Sequence, residues 1–317
     1  MVITNNCQVS LLGSTSHIAK GLINNFLNSG EFSLHLYTRS PDKVRSFLGA
    51  IGKSPEKDCV IHEGYNDFMK CSYDVVINCV GVGTLNKLQG KYTKYFTVTE
   101  EYDNLVIEYL RNCCSDALYI SLSSGAVYGG DFSAPVEENT VNSLRVNHIG
   151  KEDYYAIVRL NAEAKHRAFN NMKIVDLRIF SYFSRFVDLT DGYFITEVLD
   201  CILNKKVLIT DNVNIVRDYV HPEDLFSVIK KCVDADKINT AFDVNSTKSV
   251  SKKEILDYFS LEYGLEYEMI KSLNHISATG MKNIYCSNYN NTNSIDYKPT
   301  FSSLDVIKQE SKYILQF

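Results

Sequence analysis

Short apolar runs alternate with helix-patterned stretches through the first half of the chain, and that alternation restricts the fold to stacked βαβ units on a parallel sheet. Cys7–Leu12 is an apolar run that stops at Gly13. Beyond the turn, Ile18, Leu22, Ile23, Phe26 and Leu27 recur at helical spacing until Gly30 supplies a stop. Ser33–Tyr37 reads as the second strand, and Ser40-Pro41-Asp42 as an N-cap with proline at the first helical position. Val60–Ile61, Val75–Val80, Leu118–Leu122 and Ile174–Leu177 continue the series of strands. Tyr155–Asn170, with alanines at 162, 164 and 168, is the most helical stretch between them.

Beyond about residue 178 the rhythm changes. Helices are expected over Phe194–Leu203, Pro222–Cys232 and Ser251–Tyr263, the last opened by a Ser251-x-x-Glu254 capping box. Tyr285–Tyr297, rich in Asn and Ser, reads as loop, and Lys298-Pro299-Thr300 precedes a final helix. With 317 residues and 45% hydrophobic content, the chain can bury one large α/β core with an added lobe.

The net charge of −5 and the lack of a long basic run argue against nucleic acid as a partner. Nine scattered cysteines with no C-x-x-C pair argue against a disulfide framework or a structural metal, so no metal is expected and a reducing, cytoplasmic setting fits. The first residues lack the charged start and apolar core of a signal peptide. No apolar stretch approaches the ~20 residues that span a bilayer, so a membrane association is not expected.

Strand, glycine turn and helix in that order suit a dinucleotide, because backbone N–H groups and the positive helix end meet the pyrophosphate. The turn is Gly13-Ser14-Thr15-Ser16-His17-Ile18-Ala19; in a G-x-x-G-x-x-G register, Ser16 replaces the second glycine and Ala19 the third. Alanine is a mild change, whereas the Ser16 Cβ crowds a phosphate and its hydroxyl can donate to one. The second strand ends Leu36-Tyr37-Thr38-Arg39-Ser40, with no acid for the ribose 2′-hydroxyl of NAD. Arg39 is placed either to pair with the 2′-phosphate of NADP or to stand as a solvated surface arginine.

Three further segments follow in order. Leu118–Gly129 is a buried strand ending in Ser123-Ser124 and then Gly125-Ala126-Val127-Tyr128-Gly129. Tyr155-Ala156-Ile157-Val158-Arg159 opens the alanine-rich helix, and Val216-Arg217-Asp218-Tyr219-Val220-His221-Pro222 follows. Together with Asp176–Phe180, this series resembles the extended short-chain dehydrogenase/reductase family, the NAD(P)-dependent sugar epimerases, dehydratases and reductases. The resemblance runs over nearly the whole chain. It implies an α/β architecture, a Rossmann doubly wound parallel sheet with a smaller C-terminal α/β substrate lobe. Residues 1–178 would form the cofactor domain, a segment at about 212–245 would return to it, and 179–317 would be mainly lobe.

The resemblance further implies that Ser124 hydrogen-bonds the reacting sugar oxygen and that Tyr155 is the acid/base. Gly13–Ile18, Arg39, Cys79-Val80-Gly81, Tyr155 and Arg159 would contact NADP, with NAD as the alternative cofactor. Ser124, Gly125, Tyr128 and Arg217 would contact a nucleotide-sugar substrate, Arg217 at its diphosphate, and the family habit is a homodimer through helices of the cofactor domain. A competing role for Arg217 is a salt bridge to Asp218 or Glu223, and His221 reads as structural. The sequence departs from the family at Arg159, where a lysine is expected. One helical turn after Tyr155, a cation stabilises the phenolate, and arginine keeps the charge with a bulkier, planar fork. It departs again at Phe180–Arg185, where the family's N-x-Y-G-P is missing.

Gly125-Ala126 stand where the family's dehydratases carry Asp-Glu, so dehydration is disfavoured. The expected activity is that of a nucleotide-sugar 4-ketoreductase or epimerase. The alternative is an inactive NAD(P)-binding regulatory protein of the same fold.

Overall fold

The computed structural model describes residues 6–55, 57–82, 88, 90–130, 132–271 and 282–316. Seven parallel strands form the central sheet: β1 (Cys7–Leu12), β2 (Phe32–Thr38), β3 (Cys59–Glu63), β4 (Val75–Asn78), β5 (Leu118–Ser124), β6 (Ile174–Ile179) and, later in the chain, Asn239–Val244. Their order in space is Asn239–Val244, β6, β5, β4, β1, β2, β3. The order reverses between β1 and β4, and the crevice beyond the carboxyl ends of these two strands is where doubly wound sheets bind ligands.

Helices α1 (His17–Ser29), α2 (Pro41–Ala50), α3 (Thr93–Asn112) and α4 (Tyr154–Ala168) cover the sheet. Leu11, Ile77 and Ile120 point to one face, under Leu22, Ile23 and Phe26 of α1. Their neighbours Leu12, Val76 and Tyr119 point to the other, under Val106, Tyr109 and Leu110 of α3. Each such fully buried aliphatic or phenylalanine side chain contributes about 1.5–3 kcal/mol relative to exposure. Both faces are covered, which is why the strands read as continuous apolar runs.

Helix ends follow local chemistry. Gly30 closes α1 at φ 67°, a left-handed conformation that favours glycine. β4 stops at Asn78, two residues before the apolar run does, because the Asn78 side-chain oxygen accepts from the Val80 N–H and turns the chain.

The second half contributes helices α5 (Phe194–Leu203), α6 (Pro222–Val233), α7 (Lys252–Tyr263) and α8 (Ser303–Leu315). α6 packs on the central sheet through Leu225, Val228 and Ile229, whereas α5, α7 and α8 share a separate core around Val198, Phe259 and Val306. Capping boxes open α7 at Ser251–Glu254 and α8 at Ser302–Asp305. The stretch read as loop from Tyr285 begins instead inside a strand: Ile284–Tyr285 pairs in parallel with Val216–Arg217. That pairing partner lies far back in the chain, so no local pattern announces it. No helix among the described residues is long and apolar enough to cross a membrane.

Candidate active site

The crevice begins at Gly13. Its φ of 75° suits glycine, and a Cβ there would stand 3.0 Å from the Cys79 carbonyl and the Val80 side chain. The Gly13 and Ser14 N–H groups both donate to the Tyr37 carbonyl at 3.1 Å, which ties the turn to the end of β2. The Ser14 hydroxyl turns inward to the Leu11 carbonyl. Ser16 has an ordinary extended conformation that needs no glycine, and its hydroxyl caps α1 by accepting from the Ala19 N–H at 3.3 Å. Thr15 and Ile18 are half-buried, and Ala19 is fully buried. The His17 imidazole lies 2.8 Å from the Ser184 hydroxyl and edge-on to Tyr182, so it braces the turn against the second half of the chain.

Arg39 is exposed at the end of β2. Tyr65, pushed up to about 12 mainly by burial, and Tyr102 both feel its charge in the opposite direction.

Ser124 closes β5 and Tyr155 lies in the first turn of α4, and the topology brings both to the carboxyl end of the parallel strands. The Arg159 guanidinium lies 5.3 Å from the centre of the Tyr155 ring and donates through Nη1 to the Leu122 carbonyl at 3.1 Å. Its Nη2 occupies the space beside Gly81, where a Cβ would come within 2.9 Å. Burial opposes its charge, but the Tyr155 phenol outweighs that and keeps the guanidinium ionised. The Arg159 Nε is buried and finds no acceptor among the described residues. A buried donor left without a partner calls for one, and a ribose hydroxyl meets that need. The glycine turn and this donor therefore fit a nicotinamide dinucleotide.

Tyr285, absent from the sequence-based site, shares a 2.9 Å hydrogen bond with the Ser124 hydroxyl. Burial drives its phenol well above the usual range. The Lys282 ammonium sits 4.0 Å from the centre of the Tyr285 ring. Burial, and then the charge of Arg217, push Lys282 down to about 8. Arg217 is itself only 8% exposed, and Nη1 donates to the carbonyls of Val216 and Asn283. Among the described residues it makes no salt bridge to Asp218 or Glu223. Asp218 instead accepts from the Ser246 N–H, and the Glu223 N–H donates to His221 Nδ1, which caps α6. A buried cation, Arg217, and a half-buried one, Lys282, thus stand beside Tyr285, the partner of Ser124, a costly arrangement that an anion would relieve.

A Cβ at Gly125 would collide with the Phe180 ring, so the position has no room for an acid. The Tyr128 hydroxyl donates to Asp243 and accepts from Arg178 at 2.9 Å. Arg178 also forms a forked bridge to Glu163, which accepts from the Ser123 hydroxyl at 2.6 Å. This network ties α4 to β5 and β6 directly beneath Ser124. Nothing in the local sequence pattern singles out Glu163 or Asp243.

A model of the NAD dependent epimerase/dehydratase family matches residues 9–245. Among solved structures, a UDP-glucuronic acid 4-epimerase from Bacillus cereus, in complex with UDP-glucuronic acid and NAD, is 16% identical. It aligns over 98% of this chain and 99% of its own, with a TM-score of 0.80. A UDP-N-acetylglucosamine 4-epimerase from Methanobrevibacter ruminantium is 16% identical over the same shares, with a TM-score of 0.81. A UDP-glucose-4-epimerase from Stenotrophomonas maltophila is 14% identical over 97% of both chains, also at 0.81. At these identities the likeness is one of fold. No curated protein gives a significant sequence match.

Proposed function

Because the chain belongs to the NAD dependent epimerase/dehydratase family, we propose that it moves hydride at a carbon of a nucleotide-activated sugar, as a 4-epimerase or 4-ketoreductase. The observation that supports this reading is that Arg217, paired in register with Tyr285, and Lys282, over its ring, set two positive charges beside the residue that hydrogen-bonds Ser124. A sugar diphosphate presents the complementary anion next to the carbon to be changed.

In this reading Gly13–Ile18 hold the pyrophosphate. Ser16, while accepting from Ala19, keeps its O–H proton to donate to it. Arg39 pairs with a 2′-phosphate, so NADP is the preferred cofactor, with NAD as the alternative. Arg159 Nε and Gly81 face the nicotinamide ribose, and Cys79 and Val80 form the wall. A nicotinamide ring held by these residues would supply or accept the hydride at the sugar carbon. Tyr155 Oη takes the proton from the sugar hydroxyl, or returns it to the carbonyl oxygen, and Arg159 stabilises the phenolate. The Ser124 hydroxyl gives up Tyr285 as its partner and orients the sugar oxygen. With Gly125 and Ala126 lacking any proton-transfer group, the reading leaves out dehydration. It includes a homodimer through helices of the cofactor domain and a cytoplasmic role in supplying unusual sugars for surface polysaccharides.

The test is incubation with UDP-, dTDP- and GDP-hexoses and their 4-keto derivatives, each with NAD(H) or NADP(H). Products are followed by NMR and nucleotide oxidation by absorbance. A 4-epimer formed without net cofactor turnover identifies the epimerase; NADPH consumed with a 4-keto sugar identifies the reductase. If none of the nucleotide sugars raises the melting temperature or reacts, the proposal fails.

A further inference from the structure

On the outer edge of the sheet, far from Ser124 in the topology, β2 and β3 bring His35 and His62 together. The short helix Phe68–Lys70 then delivers Cys71 beside them. One nitrogen from each imidazole and the Cys71 sulfur all lie within 4.8 Å of one another. His35 Nδ1 and His62 Nε2 are 3.0 Å apart. Two nitrogens bound to a tetrahedral Zn²⁺ at ordinary bond lengths stand about 3.3 Å apart, and a nitrogen and a thiolate about 3.6 Å. The cluster therefore needs only small side-chain rotations to enclose an ion.

We infer that His35, His62 and Cys71 form a binding site for a borderline-soft divalent transition-metal ion of the Zn²⁺ class, with a fourth position open to water. The surroundings are those of an oriented metal site. His35 Nε2 lies 3.3 Å from the Gln8 side-chain oxygen, and donating to it leaves the Nδ1 lone pair facing His62. Gln8 is in turn held by Asn6 and Asp74. The Tyr37 ring stacks on His62 at 4.2 Å, and Tyr73 lies edge-on to His35. Two imidazoles and a thiolate suit Zn²⁺ or Co²⁺ and reject Mg²⁺ and Ca²⁺, which take oxygen ligands. On binding, the Cys71 thiol loses its proton to solvent. The single proton of neutral His62 moves from Nε2 to Nδ1, so one proton is released per ion bound.

The ion would fasten β2 to β3 beside Tyr37, whose carbonyl anchors the glycine turn. The test is calorimetric titration of chelator-treated full-length protein with Zn²⁺, and with Mg²⁺ as control. The expected result is uptake of about one Zn²⁺ per chain, weakened at least about tenfold by His62→Gln and by Cys71→Ser. Co²⁺ should give a visible spectrum with a thiolate charge-transfer band that Cys71→Ser lacks. Zn²⁺ uptake no stronger than Mg²⁺, or affinity retained in both variants, overturns the inference. Should either variant fail to fold, a native Co²⁺ spectrum without the thiolate band overturns it equally.

Discussion

Arg159 reaches two groups at once, its charge lying over Tyr155 and its Nη2 filling the space left by Gly81. A lysine at 159 keeps the cation but loses the fork, the bond to Leu122 and the filling of that space. Arg159→Lys should therefore retain cofactor binding and displace the pH–rate profile, measured as kcat against pH on the sugar that the protein turns over. Tyr155→Phe should preserve the fold and cofactor affinity while cutting turnover by ~10²–10⁴-fold; unchanged turnover would move the acid/base role elsewhere, with Tyr154 the first candidate. At the other end of the crevice, Arg39→Ala should weaken NADPH binding by ~1–3 kcal/mol and leave NADH binding nearly unchanged. Equal losses for the two cofactors would refute the 2′-phosphate contact.

At the scale of elements, α4 is fastened to its neighbours by two buried charge networks. Glu163 and Arg178 hold it to β6, and His166 bridges Asp103 on α3 and Asp176 on β6. Removing Glu163 takes away the forked partner of Arg178 and leaves only the longer contact to Asp243, so Glu163→Ala should destabilise the fold by ~3 kcal/mol in denaturant titration. Burial opposes the His166 charge, but the bonds to Asp103 and Asp176 outweigh it and raise the imidazole to about 9. A folded value above the unfolded 6.5 means that this contribution is complete below about 6.5 and is lost as pH rises through about 9. The melting temperature of the native protein should thus fall between pH 7 and 10 more steeply than that of His166→Gln. Parallel slopes for the two would show that the imidazole is neutral in the fold.

Across the whole molecule, the parallel pairing of Val216–Arg217 with Ile284–Tyr285 builds the candidate substrate side from segments far apart. With Lys282 near 8 before an anion arrives, an anionic ligand favours its protonated form. Affinity for a nucleotide sugar should be full below about 8 and decline as pH rises through that value, and Lys282→Met should flatten the decline. A pH-independent affinity in the native protein would remove Lys282 from the site.

What the amino-acid order determined by itself is local. Apolar runs, Gly13 and Gly30 marked out β1, α1 and their joints, because period, turn conformation and capping act over a few residues. The same rules located the strand that ends near Ser124 and the helix that opens near Tyr155, whereas the roles expected of Ser124, Tyr155 and Arg217 came from the resemblance to a family and not from local pattern. Only the tertiary structure decided which side chains meet. Tyr285 reaches Ser124 from 161 residues away, Tyr128 turns to Asp243 across 115, and His35 finds His62 through the register of two adjacent strands. A hydroxyl's partner or a cation's neighbour is set by sheet register and by the course of the returning chain, and neither leaves a periodic trace in the sequence.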